Sequence, residues 1–218
     1  GICDGGPVVV MKDFIGEDEI FVPFNAVGDS TLEQSRERYQ YTYHDIMQML
    51  EENMKLTDVE GTIQHFWNMY LVDAWIGNFD RHGSNWGFLK KDNRYRMAPI
   101  YDNGSSLFPR LNTDMKLQKI LDSKEEMLKR VYTFPTSQIL LQGKKSSYYE
   151  LIDSLQYKEC NDALIRMKPK IDLEKMEKII DGVEEISMVR KTFYKSMLHL
   201  RYEVMIKEPY RKLIGKVM

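Results

Sequence analysis

The sequence has few of the residues that mark secreted, membrane-spanning or metal-clustered proteins. Among 218 residues there are only two cysteines, Cys3 and Cys160. Their spacing matches no metal-ligand motif, and two cysteines are too few for a disulfide framework. No apolar run approaches the roughly 18 residues that cross a bilayer, and no basic segment followed by an apolar one opens the chain. We therefore expect a cytoplasmic protein whose cysteines are ordinary thiols in a reducing compartment, and we expect no membrane partner.

The sequence also lacks an excess of charge of either sign. Its 31 Lys and Arg residues and 33 Asp and Glu residues leave a formal net charge of −2. The summed field therefore gives no broad attraction for nucleic acid or anionic lipid, and we expect no direct nucleic-acid binding. With 43% hydrophobic and 29% charged residues, the composition is that of a globular chain with one domain or two small lobes.

Short extended segments are predicted near the N-terminus. The β-branched run "VVV" at residues 8–10 follows Gly-Gly-Pro, which is typical of a strand that emerges from a turn, and residues 20–24 form a second such segment. Thr42 and Asp45 have the spacing of a capping box, and apolar residues follow at helical intervals. A helix is therefore predicted to begin near Tyr43.

The clearest helical pattern lies between residues 62 and 76. Apolar side chains recur there at steps of three and four residues, which indicates a helix with one wide buried face, and Gly77 lies where a helix commonly stops. Two aromatic-rich runs follow, "NWGFL" and "RYRMAPIY", with "KKDN" between them. This order predicts a β-hairpin of two short strands directly after the helix.

The chain beyond Pro109 is predicted to be mainly helical. Asp172 is the expected N-cap of a helix over "LEKMEKIIDGV", and a long amphipathic helix is expected from about residue 187 to 204. Pro209 is predicted to separate that helix from a last short one. The predicted fold class is α+β, mainly α.

The polar run "IGNFDRHGSNWGF", residues 76–88, lies between the predicted helix and hairpin. Asp80 precedes Asn85 by five positions, the interval between the base and the metal-binding Asn in the protein-kinase pattern H-R-D-L-x-x-x-N. Asn85 is predicted to open the first hairpin strand and Asp102 to follow the second, so chain reversal should place them side by side. Mg²⁺ prefers amide and carboxylate oxygens as ligands. The pattern therefore predicts a metal site formed by Asn85 and Asp102, with Asp80 nearby as a proton acceptor.

The same residue types are also common turn formers, so turn chemistry is the better explanation of any one of them taken alone. Their joint placement by one helix and one hairpin is what favours a site. Two further residues of this run, His82 and Arg81, each have two possible roles. His82 either contacts phosphate or substrate, or fixes the loop by hydrogen bonds to the backbone. Arg81 either pairs with an acidic neighbour or reaches phosphate.

"IGNFDRHGSNWGF" followed by "APIYDNGSSLF" resembles the catalytic core of HipA-like serine/threonine kinases, and the resemblance covers residues 8–110. It implies a protein-kinase-like C-terminal lobe with a catalytic-loop hairpin, which transfers the γ-phosphoryl group of Mg-ATP to Ser or Thr of a protein. By this resemblance Asp80 is the catalytic base, His82 the loop histidine, and Asn85 and Asp102 the Mg²⁺ ligands.

The run "VVVMKDF" resembles the strand and hinge against which adenine lies in that family. The implied nucleotide contacts are Met11, Lys12, Asp13 and Phe14. Lys12 has a second interpretation as the Lys of a V-A-I-K strand. We favour the hinge, because a phosphate-gripping Lys should follow a glycine-rich loop and further strands, and only eleven residues precede this one.

The resemblance divides the chain into residues 1–28, the hinge and edge of an incomplete N-terminal lobe, and residues 29–218, a helical catalytic lobe. An alternative is a non-catalytic pseudokinase or toxin-complex subunit that needs a separate N-terminal lobe. An N-terminal-lobe protein or an antitoxin-like protein is then the expected partner. A metal-dependent phosphatase or nuclease ranks last, because too few acidic residues or histidines are arranged for a two-metal site.

Overall fold

The computed structural model describes residues 2–28 and 41–215. The α-helices within these ranges are α1 (Phe24–Gly28), α2 (Tyr43–Glu52), α3 (Val59–Ile76), α4 (Asp114–Leu121), α5 (Lys124–Tyr132), α6 (Tyr148–Ser154), α7 (Lys158–Met167), α8 (Leu173–Asp181), α9 (Met188–Arg201) and α10 (Glu208–Gly215). A 3₁₀ turn, Lys168–Lys170, follows α7, and a π-helical segment, Tyr202–Lys207, joins α9 to α10.

The strands within the same ranges are β1 (Ile2–Cys3), β2 (Gly6–Pro7), β3 (Ile20–Pro23), β4 (Tyr41–Thr42), β5 (Gly87–Lys91), β6 (Arg94–Met97), β7 (Thr136–Leu141) and β8 (Lys144–Ser147). They form a β1-β2 pair and two three-stranded sheets, with orders β3-β5-β6 and β4-β7-β8. About 53% of the described chain is helical, so the predicted α+β, mainly α class is confirmed. The predicted domain boundary at residue 28 stays a prediction.

Helix α3 is the central helix and leads directly into the polar run. Its N-cap, Asp58, accepts a hydrogen bond from the backbone N–H of Gly61 at 2.9 Å, so the helix begins three residues before the predicted pattern. Its side chains are buried on several faces, and Trp67 is fully enclosed. Gly77 ends the helix in the left-handed region at φ 69°, where a glycine carries no Cβ penalty, as predicted.

The first hairpin follows the loop after α3. Strands β5 and β6 pair antiparallel around a turn at Asp92, and β3 pairs with the other edge of β5. A side chain at Gly87 would collide with the backbone of Val22, which is why a glycine stands where β3 meets β5. Because β5 begins at Gly87, Asn85 precedes the strand by two residues, which corrects the prediction that it opens the strand.

The predictions for the N-terminal segment have mixed outcomes. The strand at residues 20–24 is confirmed as β3, and the capping box of α2 is present, with Thr42 and Asp45 bonding to each other's backbone. The strand predicted at residues 8–10 is wrong, because those residues have no regular structure. Val9 and Val10 are 86% and 85% exposed, so their β-propensity is not supported by the burial on which strand stability depends.

The C-terminal part is mainly helical, and Asp172 caps α8 as predicted. One departure is the hairpin β7–β8, which turns through Gln142 and Gly143, both at positive φ as a two-residue hairpin turn requires. A second departure concerns Pro209, which does not break the helix. The π-helical segment before it widens the helix, and this accommodates a ring that would otherwise clash with a carbonyl of the preceding turn.

Two expectations from composition concern membrane spans and the cysteines. Over residues 2–28 and 41–215, no helix combines the length and apolar character that crossing a bilayer requires. Both cysteines are free, Cys3 exposed and Cys160 buried, as expected for ordinary thiols. Burial raises the pKa of the Cys160 thiol, which keeps it protonated and unreactive.

Candidate active site

A buried ion pair fixes the loop that follows α3. Asp73, in the last turn of α3, accepts two hydrogen bonds from Arg81, from Nε at 2.8 Å and from Nη2 at 2.9 Å. The two residues are 1% and 7% exposed. Burial alone lowers the pKa of Arg81, but its hydrogen bond with Asp73 and the nearby charges of Asp73 and Asp102 outweigh burial and raise the pKa above its usual value.

The same guanidinium joins the loop to the segment after the hairpin. Nη1 of Arg81 donates to the backbone carbonyls of Asn85 at 2.7 Å and Tyr101 at 2.5 Å, and Nη2 donates to the side chain of Asn103 at 2.6 Å. With the two bonds to Asp73, all five N–H donors of Arg81 are used. The backbone at Asn85 therefore lies beside the backbone that leads into Asp102.

Asn78 fixes the backbone on the other side of the proposed base. Its Nδ2 donates to Asp73 at 3.0 Å, and its Oδ1 accepts the backbone N–H of Asp80 at 3.1 Å. Its own carbonyl accepts the hydroxyl of the buried Tyr148 at 2.9 Å. Asp80 is thus positioned by a side chain that is itself fully buried and hydrogen-bonded, which is how a rigid functional group is usually supported.

Asp80, His82 and Asn85 are linked by short contacts within this loop. His82 Nδ1 accepts the backbone N–H of Ser84 at 3.2 Å, so in this arrangement that nitrogen carries no proton. Its Nε2 lies 3.8 Å from Oδ1 of Asp80, which is too long for a hydrogen bond. Asn85 Nδ2 donates to the carbonyl of Asp80 at 2.8 Å, so the amide oxygen remains available to a ligand.

Asp102 lies in the segment after β6 and is exposed. Its φ of 51° places it in the left-handed region, which non-glycine residues adopt mainly in turns and at functional sites. The preceding residue, Tyr101, is tied to the loop because its hydroxyl donates to the carbonyl of Ser84 at 2.5 Å. Burial raises the pKa of Tyr101 to about 12, so the hydroxyl remains a donor at neutral pH.

The donor atoms fit a hard divalent cation. The amide oxygen of Asn85 and the exposed carboxylate of Asp102 are hard oxygen donors, and Mg²⁺ commonly takes one or two such protein groups together with water and phosphate oxygens. Among the described residues, no hydrogen bond to Asn85 Oδ1 is found, and no group of three or more His, Cys, Asp or Glu side chains is arranged around one point. The protein part of such a site would consist of these two side chains.

The four predicted nucleotide contacts are placed differently from one another. Phe14 packs against Tyr101, with ring centroids 5.7 Å apart, and so lies next to the segment that carries Asp102. Met11 is 79% exposed, and Lys12 and Asp13 are exposed as well. The structure therefore brings Phe14 to the candidate site and leaves the other three at the surface.

Sequence reasoning missed Asp73 and Tyr148 and left the role of Arg81 open. Asp73 had a signal, because it is an acid in the middle of the apolar stripe of α3, eight residues before Arg81. A charged residue at a buried position needs a partner of opposite charge, which could have identified the pair. Tyr148 lies seventy positions from the carbonyl that it binds and had no comparable signal.

The chain belongs to the family of the HipA-like C-terminal domain, because the model of that family matches residues 26–188. The resemblance given above is thereby confirmed. The chain is 33% identical over 210 residues to serine/threonine-protein kinase CtkA of Helicobacter pylori (strain J99 / ATCC 700824), covering 95% of this chain and 64% of that relative. The crystal structure of a Helicobacter pylori proinflammatory kinase CtkA superposes with a TM-score of 0.87 at 32% identity, covering 94% of this chain and 75% of that one.

These findings support a kinase-like transferase, since the relative matched over most of this chain is a serine/threonine kinase. A serine/threonine kinase uses ATP and typically Mg²⁺. The chain spans 64% of the length of that relative, so the activity and partners of the whole protein belong to the proposal below.

Proposed function

We propose that this chain is the catalytic lobe of a HipA-like kinase that transfers the γ-phosphoryl group of Mg-ATP to Ser or Thr of a protein. The observation that carries the proposal is the convergence at Arg81, whose guanidinium binds the loop of Asp80 and Asn85 and the segment of Asp102 at once. A turn alone would not require five hydrogen bonds from a buried arginine, whereas a preorganised catalytic site benefits from them.

In the proposed mechanism, Asp80 orients the hydroxyl of the substrate and accepts its proton. His82 stands beside the carboxylate, with Nε2 at 3.8 Å, while Asn78 and Asn85 fix the backbone of Asp80 from both sides. Asn85 and Asp102 would hold Mg²⁺, which neutralises charge that develops on the phosphate oxygens when it is bound. Because Asp80 is half-buried and accessible, a substrate hydroxyl can reach it.

The nucleotide is proposed to lie against the segment of Met11, Lys12, Asp13 and Phe14. The support for this placement is the packing of Phe14 on Tyr101, one residue from the proposed metal ligand Asp102. An adenine that contacts this segment would therefore have its phosphates directed along the same face as the loop.

Replacing Asp80 with Asn tests the base. The change removes the proton acceptor while keeping the shape of the side chain, so phosphate transfer from labelled ATP should fall by about 10²–10⁴-fold. Asp92→Asn is the matched control, because Asp92 lies in the hairpin turn and Asn tolerates its positive φ. Asp92→Asn should leave transfer unchanged, and a normal rate in Asp80→Asn would show that another group is the base.

Replacing Asp102 with Asn tests the metal ligand. Asn tolerates the positive φ of this position, so the fold should be kept while one negative charge is lost from the site. Calorimetry of nucleotide binding with and without Mg²⁺ should show that the gain in affinity due to Mg²⁺ is lost in Asp102→Asn. An unchanged Mg²⁺ dependence would remove Asp102 from the ligand set.

A second candidate is a non-catalytic lobe, or a toxin-complex subunit, that acts only with a separate N-terminal lobe. The observation that favours it is the exposure of Val9, Val10 and Met11 beside the proposed nucleotide site, since a contiguous apolar stretch is often covered by a partner. Phosphate transfer by this chain alone would argue against this candidate. Transfer only after an N-terminal-lobe protein is added, or no transfer at all, would favour it.

A further inference from the structure

A pocket of about 220 Å³ lies directly beside the catalytic loop, with an aromatic floor. Its floor consists of Phe79, Phe108 and Phe134, and the ring of Phe134 lies about 6 Å from the other two rings, at 6.1 Å from Phe79 and 6.0 Å from Phe108. Phe79 is the residue immediately before Asp80, so the pocket is one residue from the proposed base. We call this site the aromatic pocket.

The rim of the aromatic pocket is positively charged, although the whole chain has a formal net charge of −2. Three cations line it, Arg110, Lys129 and Arg130, with a single acidic residue, Glu126, which pairs with Arg130 at 2.7 Å. No ion pair of Arg110 or Lys129 with a described residue is found, and the guanidinium of Arg110 lies 5.2 Å from the ring centre of Phe79. The rim therefore has an excess of positive charge, with three cations and one acid, although Glu126 also interacts electrostatically with Lys129.

A further positive charge is buried near the pocket. Arg201 is 0% exposed, and its described hydrogen bonds go to backbone carbonyls, to Ala74 at 2.8 Å and to Arg130, which lines the pocket. These carbonyls belong to the last turns of α3 and α5, where the helix dipole is negative, which explains why the guanidinium is tolerated there. Its Nη2 has no hydrogen-bond partner among the described residues, so this charge is only partly compensated.

The aromatic pocket also has an open side. It shares Lys129 with a broad surface on α5 that is lined by Lys124, Glu125, Leu128, Tyr132 and Thr133. Tyr132 is 40% exposed on this surface, and Phe134 is 43% exposed at the junction. An extended chain can therefore enter the pocket with one side chain and continue over α5, as peptides do in grooves with an apolar anchor site.

We propose that the aromatic pocket binds a segment of the protein substrate in which a large apolar side chain stands next to an Asp or Glu residue, within a few positions of the phosphoacceptor. The apolar side chain would pack on the three phenylalanines, and the carboxylate would meet Arg110 and Lys129. This inference rests on the proposed kinase function, because it is the position of Asp80 beside the pocket that makes the occupant a substrate.

A positional library of short peptides with one central serine tests the proposal in two separate assays. Fluorescence anisotropy measures binding, which needs no catalysis, and transfer from labelled ATP with Mg²⁺ measures phosphorylation. We expect both assays to select Phe, Leu or Trp beside an acidic residue. In the double variant Arg110→Glu/Lys129→Glu, binding of the selected peptide should weaken by about tenfold, and a peptide with Lys in place of the acid should gain affinity.

Lys175→Glu is the matched control, because Lys175 is an exposed lysine on α8 that does not line the pocket. It should leave the preference unchanged. Phe134→Ala should reduce selection for the apolar residue and keep selection for the acid. An unchanged acidic preference in the double variant, or no preference in either assay, would overturn the proposal. Selective binding without phosphate transfer would support the proposed role of the pocket and contradict the kinase function. Phosphate transfer without peptide selection would support the kinase function and contradict the proposed role of the pocket.

Discussion

The loop at residues 78–86 and the segment at residues 8–14 are both proposed to form the active site, but they are held in different ways. The loop is fixed by a network centred on Asp73 and Arg81, and these two side chains are almost inaccessible to solvent. The N-terminal segment contacts the site through the ring of Phe14, while Val9 and Val10 are exposed. The comparison suggests that the catalytic half is preformed, whereas the nucleotide half depends on a small number of surface contacts.

This difference arises because moving a charge into the protein interior is energetically unfavourable. A buried ion pair is retained only with excellent geometry, and removing one partner leaves an uncompensated charge in a low-dielectric interior. The loop therefore has few alternative conformations. A mostly exposed segment whose aromatic contacts are those of Phe14 with Phe21 and Tyr101 can change conformation with a smaller loss of free energy.

The largest effect is expected from Arg81→Met. This change leaves the buried carboxylate of Asp73 without its counter-charge and removes five hydrogen bonds, so the free energy of unfolding should fall by about 3–5 kcal/mol, as measured by urea denaturation. Arg211→Met is the control, because Arg211 also pairs with an acid, Glu208, but on the exposed surface of α10, and such pairs contribute about 0–1 kcal/mol.

The double variant Asp73→Leu/Arg81→Met sharpens this test. Replacing both charges with apolar groups removes the unpaired carboxylate, so stability should recover part of the loss seen in Arg81→Met. Phosphate transfer should remain low, because the carbonyls of Asn85 and Tyr101 are no longer joined. Recovery of both stability and activity would show that the ion pair does not position the loop.

The second-largest loss of stability is expected from Tyr148→Phe. The hydroxyl of Tyr148 donates to the carbonyl of Asn78, and its loss leaves a buried acceptor short of a partner, which should cost about 1–3 kcal/mol in urea denaturation. Tyr149→Phe is the neighbouring control, because its hydroxyl bonds to Asp153 at a partly exposed position. Equal losses in the two variants would mean that the bond to Asn78 has no special role in stability.

Local patterns predicted much of this fold. The capping box at Thr42, the glycine stop at Gly77 and the N-cap at Asp172 are each encoded by residues within a few positions of one another, and all three are present. The strand at residues 8–10 is wrong because strand formation depends on long-range pairing and burial, which propensity does not specify.

The candidate site was partly predictable for the same reason. The interval between Asp80 and Asn85 is local, and the return to Asp102 follows from one hairpin, so the sequence was enough to group these three residues into one candidate site. The contacts that hold the loop come from distant positions, as with Tyr148, or from a side chain whose direction only packing decides, as with Arg81. Their roles therefore required coordinates.

A smaller effect is expected from Phe14→Ala, which tests the N-terminal half of the comparison. The ring is partly exposed, so the free energy of unfolding should fall by no more than about 1.5 kcal/mol. Hydrogen exchange should increase in residues 8–15 and stay unchanged in the loop, and ATP affinity should weaken by about two- to tenfold. Met11→Ala, at a side chain 79% exposed, should leave exchange in the loop and at Phe14 unchanged. Faster exchange in the loop of Phe14→Ala would show that the two segments are coupled.

The smallest effect concerns Glu19, which connects the N-terminal segment to the first hairpin. Its carboxylate accepts hydrogen bonds from Arg96 of β6, the shortest at 2.7 Å, and from the backbone N–H of Gly16 at 3.0 Å. The bonds to Arg96 first, and then the bond to Gly16, hold the pKa of Glu19 below its usual 4.5. Because this pKa is lower in the folded chain than in the unfolded chain, the contribution to stability is complete above pH 4.5 and is lost as the pH falls below it.

Arg96→Ala should therefore raise the pKa of Glu19 toward 4.5, which an NMR titration of the side-chain carboxyl carbon measures directly. The acid sensitivity of the segment at residues 8–15 should decrease with it, since less stability is then linked to this proton. Asp18→Asn is the control. The Asp18 side chain is 85% exposed and its contact with Lys91 is long, at 4.0 Å, so its replacement should not change the titration of Glu19. If Glu19 titrated at the same pH in Arg96→Ala, the hairpin would not be what holds this end of the segment, and the aromatic contact of Phe14 would be its main attachment.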